Sequence, residues 1–212
     1  GDLYQIIQLD ERRAAIYIID VCGHGVSAAM LTMFAYDVIS GILEQNRYTE
    51  PKIILQKLNE KMLAANFEND RFKWYLTMFY GILDIEEKSF TYSSAAHEHV
   101  YLLNAEHEKF ERLAEESFAV GWFNFAEYEQ KKISLQQNDA LLFLTDGIIE
   151  ASADEHRDLQ FGDNAFEIVM NKSLKKIKNG NHFGWSGFLS ALEEDVNDFM
   201  GNNVQFDDFT MV

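Results

Sequence analysis

The sequence predicts an α+β fold, with two mainly antiparallel sheets packed together and flanked by helices. The order of elements is the first reason. Strands come first, then two helices, many strands, two more helices and a last strand, which is not the strand–helix alternation of a parallel sheet. Hairpin punctuation is the second, because charged turns at 10–13, 84–88 and 105–108 separate short apolar runs. The third is continuity: no repeat and no linker rich in Gly, Ser or Pro divides the 212 residues, a length that buries a sizeable core.

Residues 3–9 and 14–21 read as a hairpin around Asp10-Glu11-Arg12-Arg13, and the unbroken apolar run from Ala14 to Ile19 suits a buried strand. Residues 26–44 are strongly helical. Pro51 opens a second helix, where its missing N–H costs nothing, and Ile54, Leu55, Leu58, Met62 and Ala65 line one face. After the polar stretch 66–73, strands return at 74–83, 89–95, 100–104 and 109–113. Residues 128–135 alternate as a strand, and the short apolar run 140–145 reads as a central one. Helices at 164–178 and 185–200 precede a closing strand at 209–212.

Charge narrows the function. The 35 acidic and 18 basic side chains leave a net −17, which repels nucleic-acid phosphates. The one basic run, Lys172, Lys175, Lys176 and Lys178, is spaced as a solvated helix face. A single cysteine, Cys22, rules out an intrachain disulfide and suits a reducing compartment. No signal peptide opens the chain and no uncharged apolar run reaches membrane-spanning length, so a cytoplasmic location without membrane insertion is expected. Gly1-Asp2 leads directly into a strand-like run, which is expected of a domain cut from something longer.

Five acids stand beside β-like runs: Asp2, Asp20, Asp146, Asp207 and Asp208. The most specific lies in Asp20-Val21-Cys22-Gly23-His24-Gly25. An acid ending a buried strand and followed by glycines can aim its carboxylate at a cation while the backbone bends around the same place. Asp2 and Asp20 frame the first hairpin at its entry and exit, and those ends meet in an antiparallel pair. Asp146 ends the run Leu141-Leu142-Phe143-Leu144-Thr145, where an Asx turn with Gly147 is the alternative, and Asp207-Asp208 equally suit a turn before the last strand. Recurrence groups them: an acid repeatedly opens or terminates a strand, often beside glycine.

Other residues carry weaker signals. Cys22 has no Asp-His arrangement to activate it. His24 can steady the glycine turn or touch substrate. His97 and His99 share a strand parity, as zinc ligands can, but the Cys and His supply is poor and a loop at a sheet edge is the preferred reading. Trp122 and Phe123, after Gly121, are surface aromatics near a cleft or ordinary core. Gly23 and Gly25 do not form a P-loop.

Taken together, several short motifs resemble those of the metal-dependent protein serine/threonine phosphatases, in the bacterial branch of the sporulation stage II and stress-response sigma-regulator phosphatases. They are Gly1-Asp2-Leu3-Tyr4, Asp20 through Gly25, Phe79-Tyr80-Gly81, Ser94-Ala95-Ala96-His97, Leu144-Thr145-Asp146-Gly147 before Glu150, and Asp207-Asp208-Phe209-Thr210. They follow the family's order nearly end to end. Two departures stand out: Gln5 replaces the usual acid, and Ser94-Ala95-Ala96-His97 replaces Asn-Ala-Gly-His.

The resemblance implies a four-layer αββα sandwich and one phosphatase domain over 1–212, without the family's lead-in strand or an upstream sensor module. It implies two Mn²⁺ or Mg²⁺ ions, for which oxygen ligands are suited. Asp20 would serve both ions, with the Val21 carbonyl beside it. Asp2 would hold one ion and Asp146 and Asp207 the other, with Gly23, His24, Gly25 and Asp208 in support. Metal-activated water would then hydrolyse phosphoserine or phosphothreonine with no protein nucleophile. The implied partner is a phosphorylated anti-sigma-factor antagonist, with homodimerisation through regulatory elements. Arg12, Arg13, Arg71 and Lys73 could meet phosphate or an acidic partner. A phosphatase-like binding or signalling module with little or no turnover is the alternative. An unrelated nuclease or nucleotide phosphatase fits neither the charge nor the motif order.

Overall fold

The computed structural model describes every residue except 24, 68–73, 114–115, 155, 157, 179–183, 204 and 206. The chain divides into two compact units, Gly1–Glu98 with Ala114–Gln136, and His99–Leu113 with Gln137–Val212.

The first unit holds β1 (Leu3–Gln8), β2 (Arg13–Val21), α1 (Val26–Gln45), α2 (Pro51–Phe67), β3 (Leu76–Asp84), β4 (Ser89–Ala95) and β7 (Lys131–Ser134). Its strands form one antiparallel sheet in the order β1-β2-β3-β4-β7. The β1–β2 turn is tied by Asp10, whose carboxylate accepts backbone N–H bonds from Arg12 and Arg13 and pairs with the Arg13 guanidinium at 2.7 Å. That guanidinium holds the Asp10 carboxyl down to about 2. Tyr17, Ile19 and Val21 of β2 pack with Leu31, Ala35 and Ile39 of α1 and Ile54, Leu55 and Leu58 of α2 in one core.

The second unit holds β5 (Val100–Asn104), β6 (Lys109–Arg112), β8 (Asp139–Phe143), a single 3₁₀ turn at Asp146–Ile148, α3 (Gly162–Lys178) and α4 (Gly184–Met200). The sheet order is β6-β5-β8, antiparallel throughout. Tyr101, Leu103, Leu142 and Leu144 face Phe166, Met170 and Leu174 of α3 and Phe188, Leu192 and Val196 of α4.

Two antiparallel sheets and four helices are therefore the observed plan, as the sequence predicts. Details differ. The strand expected at 128–135 is shorter, because Tyr128 turns into the helix-side core before β7 begins. The closing strand at 209–212 is reduced to a bridge between Leu144 and Met211, with paired Phe143–Val212 backbone bonds. That segment flanks β8, which thus lies between two partners. Among the described residues α1 is long and apolar enough to cross a membrane by length and composition alone, although Asp37 interrupts its apolar run. Its stripe Ala28, Leu31, Ala35, Ile39 and Ile42 is buried in the first unit's core, which accounts for its apolar character.

Candidate functional site

In the first unit, the hairpin brings two acids together. Leu3 pairs with Ile19 in the antiparallel ladder, so one step further Asp2 stands opposite Asp20 and Gly1 opposite Val21. Gly1 confirms the approach: a Cβ there would meet Val21 Cγ2 at 3.2 Å and the Val21 carbonyl oxygen at 3.4 Å. The Thr32 hydroxyl of α1 donates to the Gly1 carbonyl at 2.8 Å and pins this end of β1 to the helix that follows the glycine turn. Gly23 and Gly25 both adopt positive φ, 86° and 77°, which side chains with a Cβ rarely do. The backbone thus reverses immediately after Asp20-Val21, and Gly25 leads into α1 without a side-chain cap. His24 lies outside the described residues.

On the other side of β2, Asp20 pairs with Thr77 of β3. The Thr77 hydroxyl lies 2.9 Å from Nδ1 of His97, which is buried at 4% exposure. The ladder partner of Asp20 thus meets the histidine of the Ser94-Ala95-Ala96-His97 motif. Sequence reading missed Thr77 and Thr32; a threonine inside an apolar strand, one step from the acid across the ladder, was the available signal. His99 belongs to the second unit, where its Nε2 lies 3.3 Å from Asp163, so the two histidines have separate partners.

In the second unit, residues far apart in sequence converge. Asp146 opens the 3₁₀ turn after β8, and its carbonyl accepts the Glu150 N–H at 2.8 Å. Thr145 donates its N–H to the Thr210 carbonyl at 3.2 Å, and Thr210 returns an N–H to the Thr145 hydroxyl at 3.1 Å. This clamp draws the 207–210 segment against the turn. Gly147 measures the closeness: a Cβ there would sit 2.2 Å from the Asp208 carbonyl oxygen and 3.4 Å from Asp207 Cβ. Asp207 and Asp208 are exposed, and the Asp207 carboxylate accepts the Asp208 N–H.

The first unit thus sets Asp2 opposite Asp20, and in the second Gly147, next to Asp146, lies against Asp207 and Asp208. Among the described residues no three His, Cys, Asp or Glu side chains form a ready metal-holding group. The donors themselves are carboxylates and a carbonyl, which suit a hard divalent cation. Gly147, where a Cβ would overlap the Asp208 backbone, holds the turn after Asp146 against the segment that carries Asp207. The predicted residues thus fit Mn²⁺ or Mg²⁺ chemically.

The suggested phosphate-contacting arginines are otherwise engaged: Arg12 with Asp84 and Glu86, and Arg13 with Asp10. Arg71 and Lys73 lie outside the described residues. Gln5 sits opposite Tyr17 and lines a groove with Ile7, Tyr36 and Arg47. Lys172, Lys175 and Lys176 are exposed on α3.

This two-sheet, four-helix plan is the fold of PP2C-type serine/threonine phosphatases. It superposes on the PP2C domain of SiaA from Pseudomonas aeruginosa with a TM-score of 0.82 at 20% identity, covering 100% of this chain and 78% of that one. Residues 10–212 match the family described as Stage II sporulation protein E (SpoIIE), and the chain belongs to that family. It is 29% identical to the phosphoserine phosphatase RsbP of Bacillus subtilis strain 168, over 86% of this chain and 46% of RsbP. It is also 26% identical to the protein IcfG of Synechocystis sp., over 100% of this chain and 35% of IcfG. The chain thus spans less than half the length of either relative.

Proposed function

We propose that the protein hydrolyses phosphoserine or phosphothreonine on a regulatory protein, an anti-sigma-factor antagonist, and does so with Mn²⁺ or Mg²⁺. The observation that carries the reading is the opposition of Asp2 and Asp20 at the ends of one hairpin, supported in the second unit by the contact of Gly147, next to Asp146, with Asp207 and Asp208. RsbP, named as a phosphoserine phosphatase, supplies the substrate class.

In this reading Asp20 would serve both cations and Asp2 one of them, with the Val21 carbonyl as a further oxygen donor. Asp146 and Asp207 would hold the other, with the neighbouring Asp208 in support. Gly23 and Gly25 keep side chains away from Asp20. Thr77 and His97 orient the strand end that carries it. When bound, the cations polarise phosphoryl oxygens and lower the pKa of water, so no side-chain nucleophile is needed. Cys22 has no covalent role.

The test is hydrolysis of a small aryl phosphate with and without added Mn²⁺, followed by a phosphorylated antagonist domain. Mn²⁺-dependent turnover of both is expected. A folded protein that binds the phosphorylated domain yet turns over neither substrate would be a binding module instead.

A further inference from the structure

An aromatic surface lies beside Asp20 in the same unit. Tyr75, Trp122, Phe123, Phe125 and Phe118 form one unbroken series of ring contacts, with centroids 4.8 Å apart for Tyr75–Trp122 and Phe123–Phe125, 5.9 Å for Trp122–Phe123 and 5.1 Å for Phe118–Phe123. Phe123 packs against the core, but Phe118, Trp122 and Phe125 are 44%, 47% and 63% exposed. Three rings at those exposures leave roughly 300 Å² of aromatic surface in water. That is a substantial part of the ~800 Å² each partner buries in a standard interface.

The loop that carries the rings is held in place. Buried Asn59 of α2 accepts the Gly121 N–H at 2.7 Å and donates to the Phe123 carbonyl at 3.0 Å. Gly121 has φ 87°, and a Cβ there would lie 2.7 Å from the Trp74 carbonyl. Rings fixed in this way lose little entropy on docking.

Their position relative to Asp20 follows from the backbone. Val120 exchanges both backbone hydrogen bonds with Leu76, Leu76 pairs with Val21, and the Cys22 N–H donates to the Tyr75 carbonyl. The 120–123 segment is therefore two strand spacings from the Asp20-Val21 end, about 10 Å. A folded protein seated with its phosphoryl group at Asp20 covers a patch wider than that.

We propose that Phe118, Trp122 and Phe125 form the docking surface for the phosphoprotein substrate, receiving an apolar side chain near its phosphorylated residue. This rests on the phosphatase reading above. It adds a selectivity surface that a small phosphate ester does not reach.

Trp122→Ala and Phe125→Ala should each lower kcat/KM for a serine-phosphorylated anti-sigma-factor antagonist domain about tenfold, mainly through KM, as loss of an exposed aromatic anchor does. Hydrolysis of p-nitrophenyl phosphate should stay within twofold of the parent. The aryl phosphate rate and thermal melting together exclude misfolding as the cause. Phe118→Ser, at a separate exposed ring, repeats the test should Trp122→Ala disturb the loop. Equal losses on both substrates, or none on the protein, would overturn the docking surface. So would parent turnover of the aryl phosphate but not of the antagonist domain, which leaves the phosphatase reading standing. Turnover of neither substrate by the parent protein overturns both.

Discussion

The two units solve the same problem by different routes. In the first, Asp2 and Asp20 meet because they bound one hairpin, and a ladder of consecutive pairs from Leu3–Ile19 to Gln8–Ala14 sets their register. In the second, the turn that carries Asp146 meets the segment that carries Asp207 through a bridge at Leu144–Met211, the Thr145–Thr210 clamp and a glycine with no room for a side chain. Local pairing distributes the constraint over many hydrogen bonds. Long-range pairing concentrates it in a few contacts, so the second pair should be the easier to break by packing and the first the harder.

Chemistry should separate the pairs in the opposite sense. Asp20, proposed to serve both cations, should be the most sensitive residue. Asp20→Asn is expected to lower Mn²⁺-dependent turnover of an aryl phosphate at least ~100-fold, the upper end for disturbing a metal's outer partners. Asp146→Asn, touching one cation, should lose less. Equal losses, or near-normal turnover by folded D20N, would remove the distinction.

Gly147→Ala should show the packing sensitivity. A Cβ 2.2 Å from a backbone carbonyl cannot be relieved by a side-chain rotation, so the 207–210 segment must move. Overpacking of this kind costs about 3 kcal/mol, or on the order of 6–12 °C in Tm for a chain of this size. Calorimetry and turnover should fall together. The matching change in the first unit, Gly1→Ala, meets a valine methyl at 3.2 Å that can yield. Its Tm should shift by no more than about 2 °C. Similar shifts at the two glycines would show that both pairs are held alike.

Cys22→Ser should keep turnover within about tenfold, since metal-activated water replaces any thiolate, whereas C22W should crowd the loop and lose far more. A phosphocysteine trapped during turnover and seen by mass spectrometry would contradict this. The smallest effect concerns the turn that sets the first unit's register. The Asp10 carboxyl is held to about 2 by Arg13, below its ordinary 3.8. Its contribution is therefore complete above the ordinary value and is lost as pH falls through about 2. Titration of the Asp10 carboxyl followed by NMR should place the midpoint near 2, and Arg13→Gln should return it toward 3.8.

The legible part of the protein was what depends on neighbours in sequence. The apolar run into Asp20 and the charged turn at Asp10–Arg13 specify the first hairpin, and with it the opposition of Asp2 and Asp20. Periodicity marked all four helices to within two residues at each start, because each buries a single stripe. The glycines after Asp20 marked a reversal that side chains with a Cβ resist.

Tertiary structure alone decided the rest. No local pattern tells that Thr145 clamps Thr210, that Gly147 lies against Asp208, or that Thr77 meets His97, because contacts across such sequence separations leave no periodicity. The segment at 209–212 has strand composition but forms only a bridge beside β8. The ambiguity of Trp122 and Phe123 was resolved the same way. Burial depends on what packs over a ring: Phe123 is covered by the core, while Trp122 is held out beside it by the loop that Asn59 fixes. Sequence determined which residues are candidates for the chemistry and where the strands that carry them end. The fold determined which of those ends meet, because that depends on distant backbone groups finding hydrogen-bond partners in one another.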